Sequence, residues 1–159
     1  MDSFVEWAEE VRLLDGRVIT VQQKKRVGDG VAREAWLTIT IPELGEPIVW
    51  HENLMPLVVN IDQGKLYVVG FPPTEKEYRQ YGAPRPPYIG FLWKNGKWER
   101  LSFNAIPKQI YEANMLAENF PPSGTTVITV DNKHGRRLSG SPELPGFLKK
   151  IDPNVGAFQ

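Results

Sequence analysis

The sequence predicts a mostly β domain, an antiparallel sheet, sandwich or partly open barrel built from hairpins, and three observations carry that prediction. Asp15-Gly16, Gln63-Gly64 and Asn95-Gly96 each set a turn dipeptide between two apolar runs, and residues that accept positive φ are what short hairpin loops demand. The flanking runs alternate apolar with polar residues, as in Trp36-Leu37-Thr38-Ile39-Thr40-Ile41, which is the period of a half-buried strand. Stretches such as Thr125-Thr126-Val127-Ile128-Thr129-Val130 are rich in β-branched residues, which fit a pleated surface.

Taken in order, residues 4–10 read as a short helical turn or an irregular lead-in. Asp15-Gly16 then joins a strand ending Val11-Arg12-Leu13-Leu14 to one beginning Arg17-Val18-Ile19. The run Gln22-Gln23-Lys24-Lys25-Arg26 carries that second strand past the core, and Gly28-Asp29-Gly30 ends it. Trp36 faces away from Leu37, Ile39 and Ile41, and a loop with Pro42, Gly45 and Pro47 leads to a short strand, Ile48-Val49-Trp50-His51.

Around Gln63-Gly64 the expected register sets Asp62 against Lys65, Ile61 against Leu66, Val59 against Val68 and Leu57 against Gly70, with Val58, Asn60, Tyr67 and Val69 on the opposite face. Phe71-Pro72-Pro73 breaks the pattern. Thr74 with Glu77 three residues on resembles a capping box and opens a short helix. Pro84, Pro86 and Pro87 bias the next segment towards polyproline II.

Asn95-Gly96 suits a type I′ turn, which pairs Lys94 with Lys97, Trp93 with Trp98, Phe91 with Arg100 and Ile89 with Ser102. The two tryptophans then share a close, non-hydrogen-bonded site, where an aromatic pair adds about 0.2 to 1 kcal/mol. Beyond Phe103, Pro107 and the spacing of Ile110, Asn114 or Met115, and Leu116 predict one helix over about 107–119. Phe120-Pro121-Pro122 stops it, a strand over 125–130 follows, and the Gly- and Pro-bearing stretch 131–159 reads as an irregular C-terminal arm of a single domain spanning 1–159.

Composition excludes several function classes. Lys plus Arg and Asp plus Glu number 19 each, so no global field draws in nucleic acid or an acidic membrane surface. With no cysteine there is no disulfide, no thiolate nucleophile and no cysteine-ligated metal. The longest apolar runs fall far short of the ~20 residues that span a bilayer. Met-Asp-Ser-Phe-Val-Glu-Trp has neither a basic nor an apolar leader region. A removed leader would leave no trace in the sequence, so the expected location is periplasm or cell envelope after such removal and cytoplasm otherwise.

Trp7, Glu9-Glu10-Val11, Leu13, Asp15-Gly16-Arg17 and Val21 form one block. Tyr81-Gly82, Pro84, Pro86-Pro87-Tyr88, Phe91, Gly96-Lys97-Trp98, Arg100 and Pro107 form a second. Together they resemble a family of uncharacterised bacterial envelope or lipoprotein-like proteins, across about residues 7–116, and the second block is the more specific. The resemblance implies a cell-envelope or periplasmic location and brings no catalytic residue with it.

Chemistry-bearing constellations are few. His51-Glu52 begins like H-E-x-x-H, but position 55 is Met55, so the zinc motif fails. Asp131-Asn132-Lys133-His134-Gly135 offers an acid and an imidazole and also reads as a turn closing the strand before it. A hydrolase would have to join His51 with His134, or one of them with Ser139 or Ser141, and no G-x-S-x-G elbow is present. Neither phosphate-binding glycine motif occurs. Lys24-Lys25-Arg26 and Arg136-Arg137 could join Tyr88, Trp93 and Trp98 as a nucleic-acid stacking surface, although charge balance favours solvated turns.

The expected binding surface is therefore aromatic and proline-rich: Tyr81, Arg85, Tyr88, Trp93 and Trp98, set among rigid prolines that limit entropy loss on contact. The competing expectation is that the tryptophans are core. The sequence points to a non-enzymatic protein with a protein partner, an accessory factor or immunity-type inhibitor, with no cofactor and no metal. A small hydrolase using His51 or His134 and a nucleic-acid-binding module are the alternatives.

Overall fold

The computed structural model describes residues 2–116, 121, 123–133 and 151–154. Strands β1 (Ser3–Arg12), β2 (Val18–Gly28), β3 (Val31–Ile39) and β4 (Ile48–Glu52) form one antiparallel meander. The chain crosses at Asn53-Leu54 into a second meander of β5 (Met55–Asp62), β6 (Lys65–Phe71), β7 (Ile89–Lys94) and β8 (Lys97–Leu101). A short β9 (Val127–Ile128) returns to pair in parallel with β1. The sheets run β4-β3-β2-β1-β9 and β5-β6-β7-β8, with helix α1 (Glu75–Gln80) between β6 and β7 and a one-turn α2 (Val130–Lys133) after β9.

Alternation explains why the sheets stack. Val11, Val21, Leu37, Ile39 and Trp50 from the first meander share one buried cluster with Val59, Leu66, Val68 and Phe91 from the second. Trp50 meets Phe91 edge-on, centroids 5.6 Å apart at 77°. Each such side chain contributes about 1.5–3 kcal/mol on burial. The opposite face of the second sheet buries Val58, Tyr67 and Val69 under Ile106, Ile110 and Ile151. The result is a β sandwich without a closed barrel.

The tryptophan hairpin has the expected register, with Trp93 opposite Trp98 and Phe91 opposite Arg100, and Asn95 and Gly96 both take positive φ, 54° and 77°. Ile89 has no partner in Ser102, because β8 ends at Leu101, opposite Gly90. The Gln63-Gly64 hairpin also keeps its register from Asp62–Lys65 to Val58–Val69, but a bulge then sets Pro56 against Gly70 in place of Leu57. At Asp15-Gly16 the loop is one residue longer than two. Leu13 N–H donates to Arg17 O and Gly16 N–H to Leu13 O, the three-residue loop whose last member, Gly16 at φ 94°, must be left-handed. Asp29-Gly30 makes a fourth tight reversal between Gly28 and Val31, again with positive φ at both residues.

Other expectations are corrected. Residues 4–10 belong to β1, because Trp7, Glu9 and Val11 alternate inward. Lys25 does not run past the core: it is fully buried, with its ammonium 5.3 Å from the Trp7 ring centroid. The helix over 107–119 reduces to a 3-10 turn at Lys108–Ile110, after which 111–116 run without helix and 117–119 lie outside the described residues. Asn114 explains the loss. Its N–H donates to Leu57 O, its Oδ1 accepts from Val59 N–H and its Nδ2 donates to Val59 O, so the segment seals the open edge of β5. The strand over 125–130 shrinks to Val127–Ile128, because the Glu10 carboxylate takes the Val130 N–H and Thr129 and Asn132 cap a helical turn. That turn, α2, replaces the expected reversal at 131–135 as far as Lys133; His134 lies outside the described residues, as does the arm apart from 131–133 and 151–154.

Candidate functional site

The proline-rich segment is built outward from α1. Thr74 precedes the helix as expected, but its hydroxyl donates to the Glu77 carboxylate, not as a backbone cap. Glu77, nearly fully buried, also takes Arg33 Nη1 at 3.2 Å, which ties α1 to β3. At the other end Ala83 N–H donates to Tyr78 O and Gly82 N–H to Arg79 O. Those two bonds close the helix with a left-handed residue, and Gly82 at φ 86° supplies it. The chain therefore turns sharply after Tyr81. The following segment turns through Ala83 (φ 51°) and bends again before β7, so it is not the extended polyproline II run that the prolines suggest.

This turn places Tyr81, Arg85 and Tyr88 around one open cleft of about 380 Å³, whose far wall is Arg100, Ser102 and Phe103. Tyr81 is rigidly held: its hydroxyl donates to Glu52 Oε1 at 2.8 Å and accepts from Asn53 N–H at 2.9 Å. Burial, together with the bond to Glu52, pushes the Tyr81 phenol well above the usual tyrosine range. The Arg100 guanidinium carbon lies over the Tyr81 ring, 4.9 Å from its centroid, a cation–π contact. Tyr88 packs near Phe103 at 6.1 Å, and burial raises its phenol too.

Trp93 and Trp98 are not in this cleft. They meet edge-on with centroids 5.2 Å apart and pack, half-buried, against the core between the sheets. Of the five residues expected to form one surface, three converge and two serve the scaffold. Arg100, Ser102 and Phe103 were not anticipated there. A signal for Arg100 existed, because the Asn95-Gly96 turn sets it opposite Phe91, on the same face as the tryptophan pair and two residues beyond it.

A second polar group occupies the outer face of the first sheet. His51 Nε2 contacts Glu34 Oε2, Trp36 stacks on the imidazole at 4.4 Å and 15°, and Arg26 Nε donates to Glu34 Oε1 at 2.7 Å. Partial burial raises the Glu34 carboxyl, but the bonds from Arg26 and His51 outweigh it and hold the group below its usual range. His51 does have an acid in reach, yet no serine or threonine hydroxyl bonds to it among the described residues, and no cluster of three metal-ligating side chains occurs among them. His134, Ser139, Ser141, Arg136 and Arg137 lie outside the described residues.

The basic run is not assembled with the aromatic segment. Lys24 sits over Phe4 and Trp36, at 4.7 and 5.3 Å, Lys25 is buried, and Arg26 is paired with Asp2 and Glu34. No helix among the described residues is long and apolar enough to cross a membrane. Comparison with protein-family models, curated proteins and solved structures returns no match.

Proposed function

We propose that this is a non-enzymatic binding protein that recognises a protein partner through the Tyr81–Arg85–Tyr88 cleft. The observation that supports it most is the convergence of two tyrosines and two arginines, Arg85 and Arg100, on one concave surface held by a capped helix and a hairpin. Tyrosine and arginine are the side chains over-represented where binding energy concentrates, and a preset backbone lowers the ordering cost of association. A role as an accessory factor or immunity-type inhibitor is the accompanying reading, and its placement in the bacterial cell envelope rests on the resemblance of the two sequence blocks alone.

Affinity capture from the source cells tests this, comparing the native chain with Ser102→Trp, which fills the cleft from an exposed position and leaves both arginines in place. A partner retained by the native chain and lost by the variant is expected. Equal retention by both contradicts the reading.

The hydrolase alternative has one favourable observation, the His51–Glu34 contact beside Trp36. Turnover of a model ester that His51→Ala abolishes would establish it in place of the binding role.

A further inference from the structure

The arginines of the cleft differ from most others among the described residues, Arg12, which reaches only the Gly16 carbonyl, being the other without an acid. Arg17, Arg26, Arg33 and Arg79 each reach a carboxylate within 3.2 Å. Among the described residues, neither Arg85 nor Arg100 has an acidic partner, although both line the same concave surface. Two carboxylates border the cleft's tyrosines: Glu52 is engaged by the Tyr81 hydroxyl, and Asp152, whose N–H donates to the Tyr88 hydroxyl, stands on the Tyr88 side and ion-pairs with neither arginine. The Arg100 guanidinium carbon lies over the Tyr81 ring, 4.9 Å from its centroid, a contact that places the fork at the cleft wall, where its N–H donors suit a planar acceptor.

The geometry points to a carboxylate of the partner polypeptide, an acidic side chain or a chain terminus, as the group seated between Arg85 and Arg100. This rests on the binding role proposed above and adds the ligand's chemistry. Charge complementarity supports an anion. The cleft's size and walls support a single one on an apolar stem: about 380 Å³ with Tyr88 and Phe103 at its side admits one side chain and its neighbours. A nucleic-acid strand needs a row of cations along its backbone, and the next basic run, Lys24 to Arg26, has one residue buried and one paired.

The test is a titration of the intact protein followed by the side-chain Nε–Hε signals of its arginines. The probes are N-acetyl-phenylalanine, its methyl ester, phenyl phosphate and a single-stranded oligonucleotide. The expected result is that the free acid moves Arg85 and Arg100 but not Arg17, that the ester binds at least about tenfold more weakly, and that Arg85→Gln or Arg100→Gln each lose a similar factor. Ester and acid binding alike, or no shift with any probe, overturns the carboxylate assignment. Tighter binding of phenyl phosphate or of the oligonucleotide overturns it in favour of a phosphate. The two proposals fail separately: capture that still depends on an open cleft, with no preference for the acid, removes only this one, and acid selectivity without a captured partner removes only the other.

Discussion

Trp98 donates its indole N–H to the backbone carbonyl of Val49 at 2.8 Å, joining edge strand β8 of one sheet to edge strand β4 of the other. The pairing with Trp93 sets the ring's angle, and this bond fixes where it points. Trp98→Phe keeps an aromatic partner for Trp93 and loses the donor, so it should cost about 1 kcal/mol. Trp98→Ala forfeits the ring pair as well, a further 0.5–1.5 kcal/mol or about that. Urea midpoints of the two variants should fall in that order, and identical midpoints would show that the bridge contributes nothing.

Asn114 stands in for the missing neighbour of β5. Besides its bonds to Leu57 and Val59, its Nδ2 donates to Arg12 O at 3.0 Å. Asn114→Ala strips partners from several backbone groups at once, which predicts a loss of about 2–3 kcal/mol and a sheet edge open to intermolecular pairing. Chemical unfolding gives the first quantity, and light scattering at rising protein concentration the second.

Glu9 is fully buried and, among the described residues, accepts four bonds: from Trp7 Nε1, Gln23 Nε2, Leu116 N–H and Lys133 Nζ. Burial lowers the Lys133 ammonium while Glu9 opposes that shift. Glu9→Gln leaves Lys133 without its counter-charge and should cost about 3–5 kcal/mol. The double change Glu9→Gln with Lys133→Met should recover part of that loss, since no buried cation then remains at position 133. A double-mutant cycle reads the coupling directly.

Tyr81 makes stability depend on alkaline pH. Its folded phenol ionises above the ordinary value of about 10, so between the two values the folded chain holds a proton that the unfolded chain has released. Stability is therefore whole below about pH 10 and falls as pH rises beyond it; the raised phenols of Tyr67 and Tyr88 act with the same sign. Tyr81→Phe should flatten the decline measured by urea unfolding at successive alkaline pH values. It should also cost about 1 kcal/mol at neutral pH, because Asn53 N–H and Glu52 lose their partner.

The parts of the fold legible in the sequence were those set by neighbouring residues. Asn95-Gly96 and Gln63-Gly64 fix their registers through the φ angles their turns need, and those registers are found from each turn out to Phe91–Arg100 and Val58–Val69, beyond which β8 ends and a bulge intervenes. Asp29-Gly30 has the same chemistry but follows a basic run that reads as leaving the core. Yet period two places Gln23 and Lys25 on the face of Val21 and Val27, and burial next to Trp7 and Glu9 wins. The helix over 107–119 failed for the opposite reason. Its apolar residues Ile110, Met115 and Leu116 are buried as expected, but Asn114 is committed to the edge of β5, a partner over fifty residues away that no local pattern announces. The site divides the same way: Tyr81, Arg85 and Tyr88 are close in sequence and meet, whereas Arg100 arrives through strand pairing.

The central claim is that this cleft is where the partner sits, and a photo-crosslink measures it most directly. A benzophenone side chain placed at exposed Asn104, beside Phe103 at the cleft rim and outside its lining, is compared with one at exposed Glu46, away from it. An adduct of one defined mass at position 104, suppressed by excess unlabelled native protein and absent at position 46, is the predicted result. Adducts of equal yield at both positions, or none at 104 while a partner still co-purifies, would contradict the account.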